Sequence, residues 1–274
     1  MCRTLDWISG CAVAAWSFRG AAAILAWVAL ASPAGAQCTS DNEKRVAGKG
    51  ECLAIHTFRP KTASAAPKLA IVIHGDQSDG GPIRSNIQFA RDAEFEDTIR
   101  VAILRPGYAD PDNNASTGNN YQRNDSYTAH NIDAIAEAIK ALKSHYKASR
   151  TILVGHSGGS AMSAVILGRH PGLVDGALLL SCPCNIQKWR AGKREWPRSE
   201  SPIRYTGTVP ATTRLVAITA NDDDVTLPTL AAEYVDALKK RNVVAEFATI
   251  PRGGHNGPPS SPEAKAALRK LLGE

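Results

Sequence analysis

Thr151-Ile152-Leu153-Val154-Gly155-His156-Ser157-Gly158-Gly159-Ser160-Ala161-Met162-Ser163-Ala164-Val165-Ile166-Leu167 is the stretch that decides the fold. An apolar run leads into a Gly-x-Ser-x-Gly pentapeptide, and a small-residue run suited to a helix follows. The pattern is strand, sharp turn, helix, with a serine at the apex of the turn. So abrupt a reversal brings backbone against backbone. Side chains at positions 155 and 159 would clash, and glycine removes the clash. The serine itself is expected to be strained. The helix that starts at the turn points its first N–H groups at the serine, where they can stabilise an oxyanion.

A serine hydroxyl is a poor nucleophile until a base takes its proton, and the base needs an orienting acid. Both types stand at the ends of later apolar runs. His255 follows the last run, in Gly253-Gly254-His255. Asp222-Asp223-Asp224 follows the run before it. The chain order Ser157, Asp222, His255 is the Ser…Asp…His order of the α/β-hydrolase fold. Asp222 is the first choice for the acid, because it stands three residues before Val225. Asp223 is the second choice and Asp224 the third. An oxyanion hole needs two backbone donors. Gly158, directly after the serine, supplies one. The other is expected in His74-Gly75-Asp76-Gln77, at Asp76 first and Gln77 second. A carboxylate at position 76 must then point away from the oxyanion.

Working outward, short apolar runs alternate with helical spacing. Leu69–Ile73, Val101–Leu104, Thr151–Val154, Gly176–Leu180, Arg214–Ala220 and Ala245–Ile250 read as strands. Residues 83–94, 131–146, 160–168, 228–241 and 262–272 read as helices. This alternation implies a mostly parallel sheet covered on both faces. Right-handed crossovers bring the C-terminal ends of the strands to one edge, where a site collects. Residues 37–67 read as a cysteine-containing arm with a polar entry. Residues 109–126 form a polar loop. Residues 181–213 show little periodicity and are long enough for a small cap only. Trp189 and Trp196 in that connection either line a pocket or pack the cap onto the core. His74 reads as a histidine packed under the oxyanion loop. His156 reads either as a pocket residue or as a structural one.

The first 36 residues are read as a leader. Arg19 precedes an apolar run, Gly20 to Ala31, too short to span a bilayer, and Ala34-Gly35-Ala36 is a cleavage signature. A signal peptide over 1–36 leaves a single domain over 37–274, in a secreted or periplasmic protein with no stable membrane insertion. That domain keeps four cysteines, Cys38, Cys52, Cys182 and Cys184, an even set that fits disulfides in an oxidising compartment. Cys38–Cys52 would staple the arm, while Cys182-Pro183-Cys184 closes on itself or bridges elsewhere. The net charge is +6, with basic residues scattered apart from a modest cluster over Lys188–Arg198. No basic stripe with interleaved aromatics is present, which argues against nucleic acid as a partner.

These residues together resemble the α/β-hydrolase superfamily of serine esterases and peptidases, over about residues 68–257. The compact layout is similar to dienelactone-hydrolase-like members and to the catalytic domain of prolyl-oligopeptidase-like ones. The resemblance implies an eight-stranded sheet, a small cap or none, no metal, no cofactor and an acyl-enzyme pathway. The run of three aspartates departs from the usual single acid. A Gly-Gly-Gly run after His74 is missing, which weakens a lipase reading. The expected function is cleavage of a carboxylic ester in a small molecule. A peptidase acting on small peptides is the alternative enzyme, and a hydrolase-fold binding protein with an idle triad is the non-enzyme alternative.

Overall fold

The alternating apolar and helical runs build one eight-stranded sheet in the computed structural model, which describes residues 38–274. The expected leader over 1–36 lies outside the described residues. In chain order the strands are β1 (Arg45–Gly48), β2 (Glu51–Phe58), β3 (Lys68–Ile73), β4 (Thr98–Ile103), β5 (Arg150–His156), β6 (Gly176–Leu180), β7 (Arg214–Ala220) and β8 (Val244–Ile250). The α-helices are α1 (Ser85–Asp92), α2 (Ala129–His145), α3 (Gly158–Arg169), α4 (Ile186–Trp189), α5 (Pro228–Lys239) and α6 (Pro262–Leu272). Across the sheet the order is β1-β2-β4-β3-β5-β6-β7-β8. β2 runs antiparallel to both β1 and β4, and the pairs from β4 to β8 are parallel.

The continuous apolar strands still obey the two-residue period of a pleated sheet. Leu69, Ile71, Ile73 and Leu153 face one core, which α2, α3 and α5 cover. Val72, Ile152 and Val154 face the other, which α1 and α6 cover. A strand buried on both faces has no polar side to show, hence its unbroken apolar run. Helix ends are set locally. Thr128 accepts from the Asn131 N–H at the start of α2. Ser261 caps α6, with Pro262 in the first turn and Gly273 in a left-handed conformation beyond its end.

The cysteine-containing arm, in which the sequence reading places no strand, carries β1 and β2 as a hairpin. Its turn uses Lys49 and Gly50, both at positive φ (44° and 81°), which suits a tight hairpin. The strands escape notice because β1 has four residues and β2 mixes Cys52, His56 and Thr57 with its apolar positions. Gly48 is required by packing, since a Cβ there would stand 2.0 Å from the Ala134 carbonyl oxygen of α2. The sulfur atoms of Cys38 and Cys52 are paired in the structure, as are those of Cys182 and Cys184. Among the described residues no helix is long and apolar enough to cross a membrane.

The parallel strands deliver six loops to one sheet edge. These follow β3 at His74, β4 at Leu104, β5 at Ser157, β6 at Ser181, β7 at Asn221 and β8 at Pro251. They carry the residues on which the functional reading rests.

Candidate active site

Ser157 sits between the end of β5 and the first residue of α3, with φ 53° and ψ −120°. A non-glycine residue rarely adopts this conformation, which costs on the order of 1–3 kcal/mol and persists only where neighbours enforce it. They do so here. The Ser157 N–H donates to the Leu180 carbonyl at 2.9 Å, and the Ser157 carbonyl accepts from the N–H groups of Ser160 (2.9 Å) and Ala161 (3.1 Å). The flanking glycines are forced, as the sequence implies. A Cβ on Gly155 would stand 2.4 Å from the Ser160 Cα, and one on Gly159 would stand 2.2 Å from the Ile73 carbonyl oxygen.

His255 Nε2 lies 2.8 Å from Ser157 Oγ. On the other side of the ring, Nδ1 lies 3.1 and 3.2 Å from the two carboxylate oxygens of Asp223. Asp223, not the first-choice Asp222, is therefore the acid beside the imidazole. The turn geometry after β7 explains the swap. The Asn221 N–H still bonds to the Ile250 carbonyl, and the Asp223 N–H folds back to the Ala220 carbonyl, so residue 223 turns inward. Asp223 is 2% exposed. Its carboxylate also accepts from the N–H groups of Val225 and Thr226 and from the Thr226 hydroxyl. Burial pushes the Asp223 carboxyl up, but the bonds from His255 and Thr226 outweigh it and hold it at about 2. Asp222 instead faces solvent and accepts from the N–H groups of Gly253 and Gly254, bracing the loop that carries His255.

The loop after β3 presses directly on the serine. A Cβ on Gly75 would stand 2.9 Å from the Ser157 Cβ. Among the described residues the N–H groups of Asp76 and Gly158 have no hydrogen-bond acceptor. The Asp76 carboxylate points to Arg105 and to the hydroxyls of Tyr108 and Tyr127. His74 lies underneath. Its Nε2 accepts from the Arg105 N–H at 3.0 Å, which leaves Nδ1 to donate to the Gly75 carbonyl at 2.7 Å. Burial, aided by the Arg105 charge, holds this imidazole well below its ordinary pKa, so it is neutral.

The model of the prolyl oligopeptidase family matches residues 108–272, more than half of the chain. The chain belongs to the prolyl oligopeptidase family. It is a serine hydrolase of the α/β-hydrolase fold. No curated protein matches it in sequence. Among solved structures it resembles the esterase Est1E from Butyrivibrio proteoclasticus with bound ferulic acid. The TM-score is 0.66 at 12% identity, covering 84% of this chain and 99% of that one. The esterase Pf2001 of Pyrococcus furiosus gives a TM-score of 0.63 at 16% identity, with 84% and 90% covered. The acylaminoacyl peptidase of Pyrococcus horikoshii gives 0.63 at 14% identity, and there the match covers 83% of this chain but 39% of that one.

In this prolyl oligopeptidase family member the connection over 181–213 is a small cap holding α4 and one further helical turn, Pro202–Tyr205. Its tryptophans pack, and neither lines the cleft beside Ser157, although Trp196 also lines a separate surface cleft with Tyr121 and Arg198. Trp196 is buried and stands edge-on to Tyr127, with ring centres 5.2 Å apart, and Trp189 stands edge-on to Trp196 at 5.1 Å. Trp189 Nε1 donates to the Val225 carbonyl at 2.7 Å, which ties the cap to the loop of Asp223. A cleft of about 570 Å³ adjoins the site, lined by Asp76, Gln88, Phe89, Phe95, His156 and Lys265 among others. It is formed by the loop after β3, by α1 with the turn that follows it, and by the segment after His255. His156 is thus both a cleft residue and a structural one.

Two supporting residues escape a reading of the sequence. Ser181, at positive φ (50°), donates from Oγ to the His255 carbonyl at 2.9 Å. Thr226 places its hydroxyl 2.8 Å from Asp223 and 3.1 Å from the Ser181 carbonyl. The Asp-x-Val-Thr run at 223–226 carries a weak signal, since an aspartate that accepts from N–H groups two and three residues on makes a local turn.

Proposed function

We propose that this enzyme is exported and cleaves carboxylic esters of small molecules through a Ser157–His255–Asp223 triad and an acyl-enzyme intermediate. The observation that carries the reading is the continuous contact from Ser157 Oγ to His255 Nε2, at 2.8 Å, and from His255 Nδ1 to Asp223, at 3.1 Å, behind a serine held at φ 53°. His255 Nε2 takes the hydroxyl proton as Ser157 Oγ bonds to the ester carbonyl carbon. Asp223 keeps the proton of Nδ1 facing it and stabilises the imidazolium that forms. The carbonyl oxygen becomes an oxyanion and is met by the N–H groups of Gly158 and Asp76. Collapse of the tetrahedral species expels the alcohol, which leaves with the proton from His255. Water then repeats the sequence on the acyl-enzyme, giving the acid and free Ser157.

An ester is preferred over an amide because the chain covers nearly the whole of two esterase structures, at 99% and 90% of their lengths. The second reading, a peptidase acting on small peptides, is favoured by the family match and by the likeness to the acylaminoacyl peptidase. Export is supported by the residue pattern over 1–36 and by the two cysteine pairs, which suit an oxidising compartment. A fluorophosphonate probe should label the wild type and not Ser157→Ala, and wild-type turnover of short p-nitrophenyl esters should exceed that of the matching anilides. Labelling that survives Ser157→Ala rejects the triad. Faster anilide or peptide turnover moves the substrate to the second reading.

A further inference from the structure

The scheme above uses the backbone of Asp76 and leaves its carboxylate without a part. That carboxylate belongs to a residue at the edge of a hole that must receive negative charge. Left bare, it would oppose the oxyanion, and it would do so strongly in a site shielded from water.

It is far from bare. Arg105 Nη1 donates to Oδ1 at 2.9 Å, the Tyr127 hydroxyl donates to Oδ2, and the Tyr108 hydroxyl lies 3.4 Å from Oδ1. Arg105 is 1% exposed, a rare place for a guanidinium. Its Nη1 also reaches the His74 carbonyl at 3.3 Å, and its Nη2 donates to Ser126 Oγ at 2.9 Å. The rings of Tyr108 and Tyr127 lie 5.0 and 5.3 Å from its central carbon. Burial works against the charge, but Tyr108 and Asp76 reverse that effect and raise the Arg105 pKa. Nε has no acceptor. A buried ion pair with one donor left over is a poor device for stability alone.

The same groups press on the other oxyanion donor. A Cβ on Gly158 would stand 2.6 Å from the Tyr127 hydroxyl oxygen and 2.8 Å from Arg105 Nη1. One buried cluster therefore binds the side chain of Asp76 and abuts the Cα of Gly158. It thus touches both residues whose N–H groups are assigned to the hole. Only glycine fits at position 158 with the cluster in place.

We infer that Arg105 and Tyr127 are positioning residues for the oxyanion hole, neutralising the Asp76 carboxylate and fixing the Asp76 and Gly158 N–H groups on one oxygen. The inference rests on the reading of Ser157, Gly158 and Asp76 as the reacting site. It assigns a task to a charge pair that the triad does not use. Because the cluster touches the transition state only through those donors, its loss should appear in kcat and not in KM.

The test is a double-mutant cycle. Arg105→Met exposes the hole to an unpaired carboxylate, and kcat on a p-nitrophenyl ester should fall about 100-fold, the scale of losing one oxyanion donor. KM should stay within about threefold. Adding Asp76→Asn removes the offending charge while keeping the backbone N–H, so the double variant should recover about tenfold of the lost kcat. The rate of fluorophosphonate labelling should follow kcat, because phosphonylation also places negative charge in the hole. Asp76→Asn would also relieve a purely structural penalty of the unpaired charge, so kcat is referred to the sites that take the label and loss of folded protein does not enter the comparison. If Arg105→Met does not fold, Tyr127→Phe carries the test. It removes one hydroxyl from the carboxylate and should lower kcat about tenfold at unchanged KM. An Arg105→Met loss that Asp76→Asn leaves untouched, or a Tyr127→Phe enzyme of wild-type kcat, overturns the inference. A wild type that takes no label sinks the triad reading instead, so the two failures are distinct.

Discussion

His156 Nε2 lies 2.9 Å from the carbonyl oxygen of His255. The residue before the serine thus holds the backbone of the residue that takes the serine's proton. Ser181 Oγ reaches the same oxygen at 2.9 Å, so β5 and β6 clamp the His255 loop from two sides. Both clamps require a donor, and neutral His156 supplies one from Nε2. Replacing His156 with Leu keeps much of the bulk and removes the donor. A single hydrogen bond is worth about 1 kcal/mol, so kcat should fall about five- to tenfold. Steady-state rates on a p-nitrophenyl ester, compared with Ser181→Ala, check this. The two variants should act alike, and the pair together should lose more than either.

The same histidine sets a pH dependence of stability. Burial, more than any other cause, lowers its pKa from 6.5 to about 4, with the His255 carbonyl bond working the other way. Between pH 6.5 and 4 the unfolded chain binds a proton that the folded one refuses. Stability is then full above pH 6.5 and falls as pH drops toward 4, by at most about 1.4 kcal/mol per unit for each such group. His74, also lowered chiefly by burial, adds to the same slope. Urea titrations at pH 7, 5.5 and 4.5 should show the wild type losing stability over this range. His156→Gln should lose about half as much as the wild type. Equal slopes in the two proteins would contradict it.

The neighbouring aspartates should separate cleanly. Asp223→Asn removes the group that holds the imidazole tautomer, and kcat should drop about 10⁴-fold with the fold intact. Asp222→Asn keeps an oxygen for the N–H groups of Gly253 and Gly254 and does not touch the ring. Its kcat should stay within about threefold of wild type. The reverse ranking in rates measured at pH 8 would return the acid to Asp222.

Much of this site was legible in the chain itself. The pentapeptide around Ser157 is decisive because steric demand at Gly155 and Gly159 is local and leaves a sequence mark. His255 is marked in the chain by the apolar run that ends just before it. Asp222 and Asp223 differ by one residue in a turn, and a one-residue step reverses the direction of a side chain. No pattern of residue types records that step. Arg105 and Tyr127 stayed hidden for another reason. Their partner Asp76 stands 29 residues from Arg105 and 51 from Tyr127, and only the parallel sheet brings them together. β1 and β2 leave little mark in the sequence because their burial depends on α2, through contacts such as that of Gly48 with Ala134, and not on their own periodicity.

The two cysteine pairs should differ in what they do. Cys38 and Cys52 are separated by 14 residues, and Cys182 and Cys184 by two. A cross-link stabilises mainly by restricting the unfolded chain, and the effect grows with the loop it closes. Loop-closure entropy gives about 3 kcal/mol for the first pair and roughly half that for the second. Replacing Cys38 and Cys52 together by Ser should lower the urea midpoint and leave kcat near wild type, since β4 and β3 stand between the hairpin and the strand that ends at Ser157. Replacing Cys182 and Cys184 should cost less stability and more activity. The second pair directly follows Ser181, whose hydroxyl holds the His255 carbonyl and whose own carbonyl faces the Thr226 hydroxyl. Freeing that ring loosens the link between the base and its acid. Urea melts and kcat measured on both double variants give the comparison. A Cys182/Cys184 variant of full activity would mean that β6 alone holds Ser181 in place.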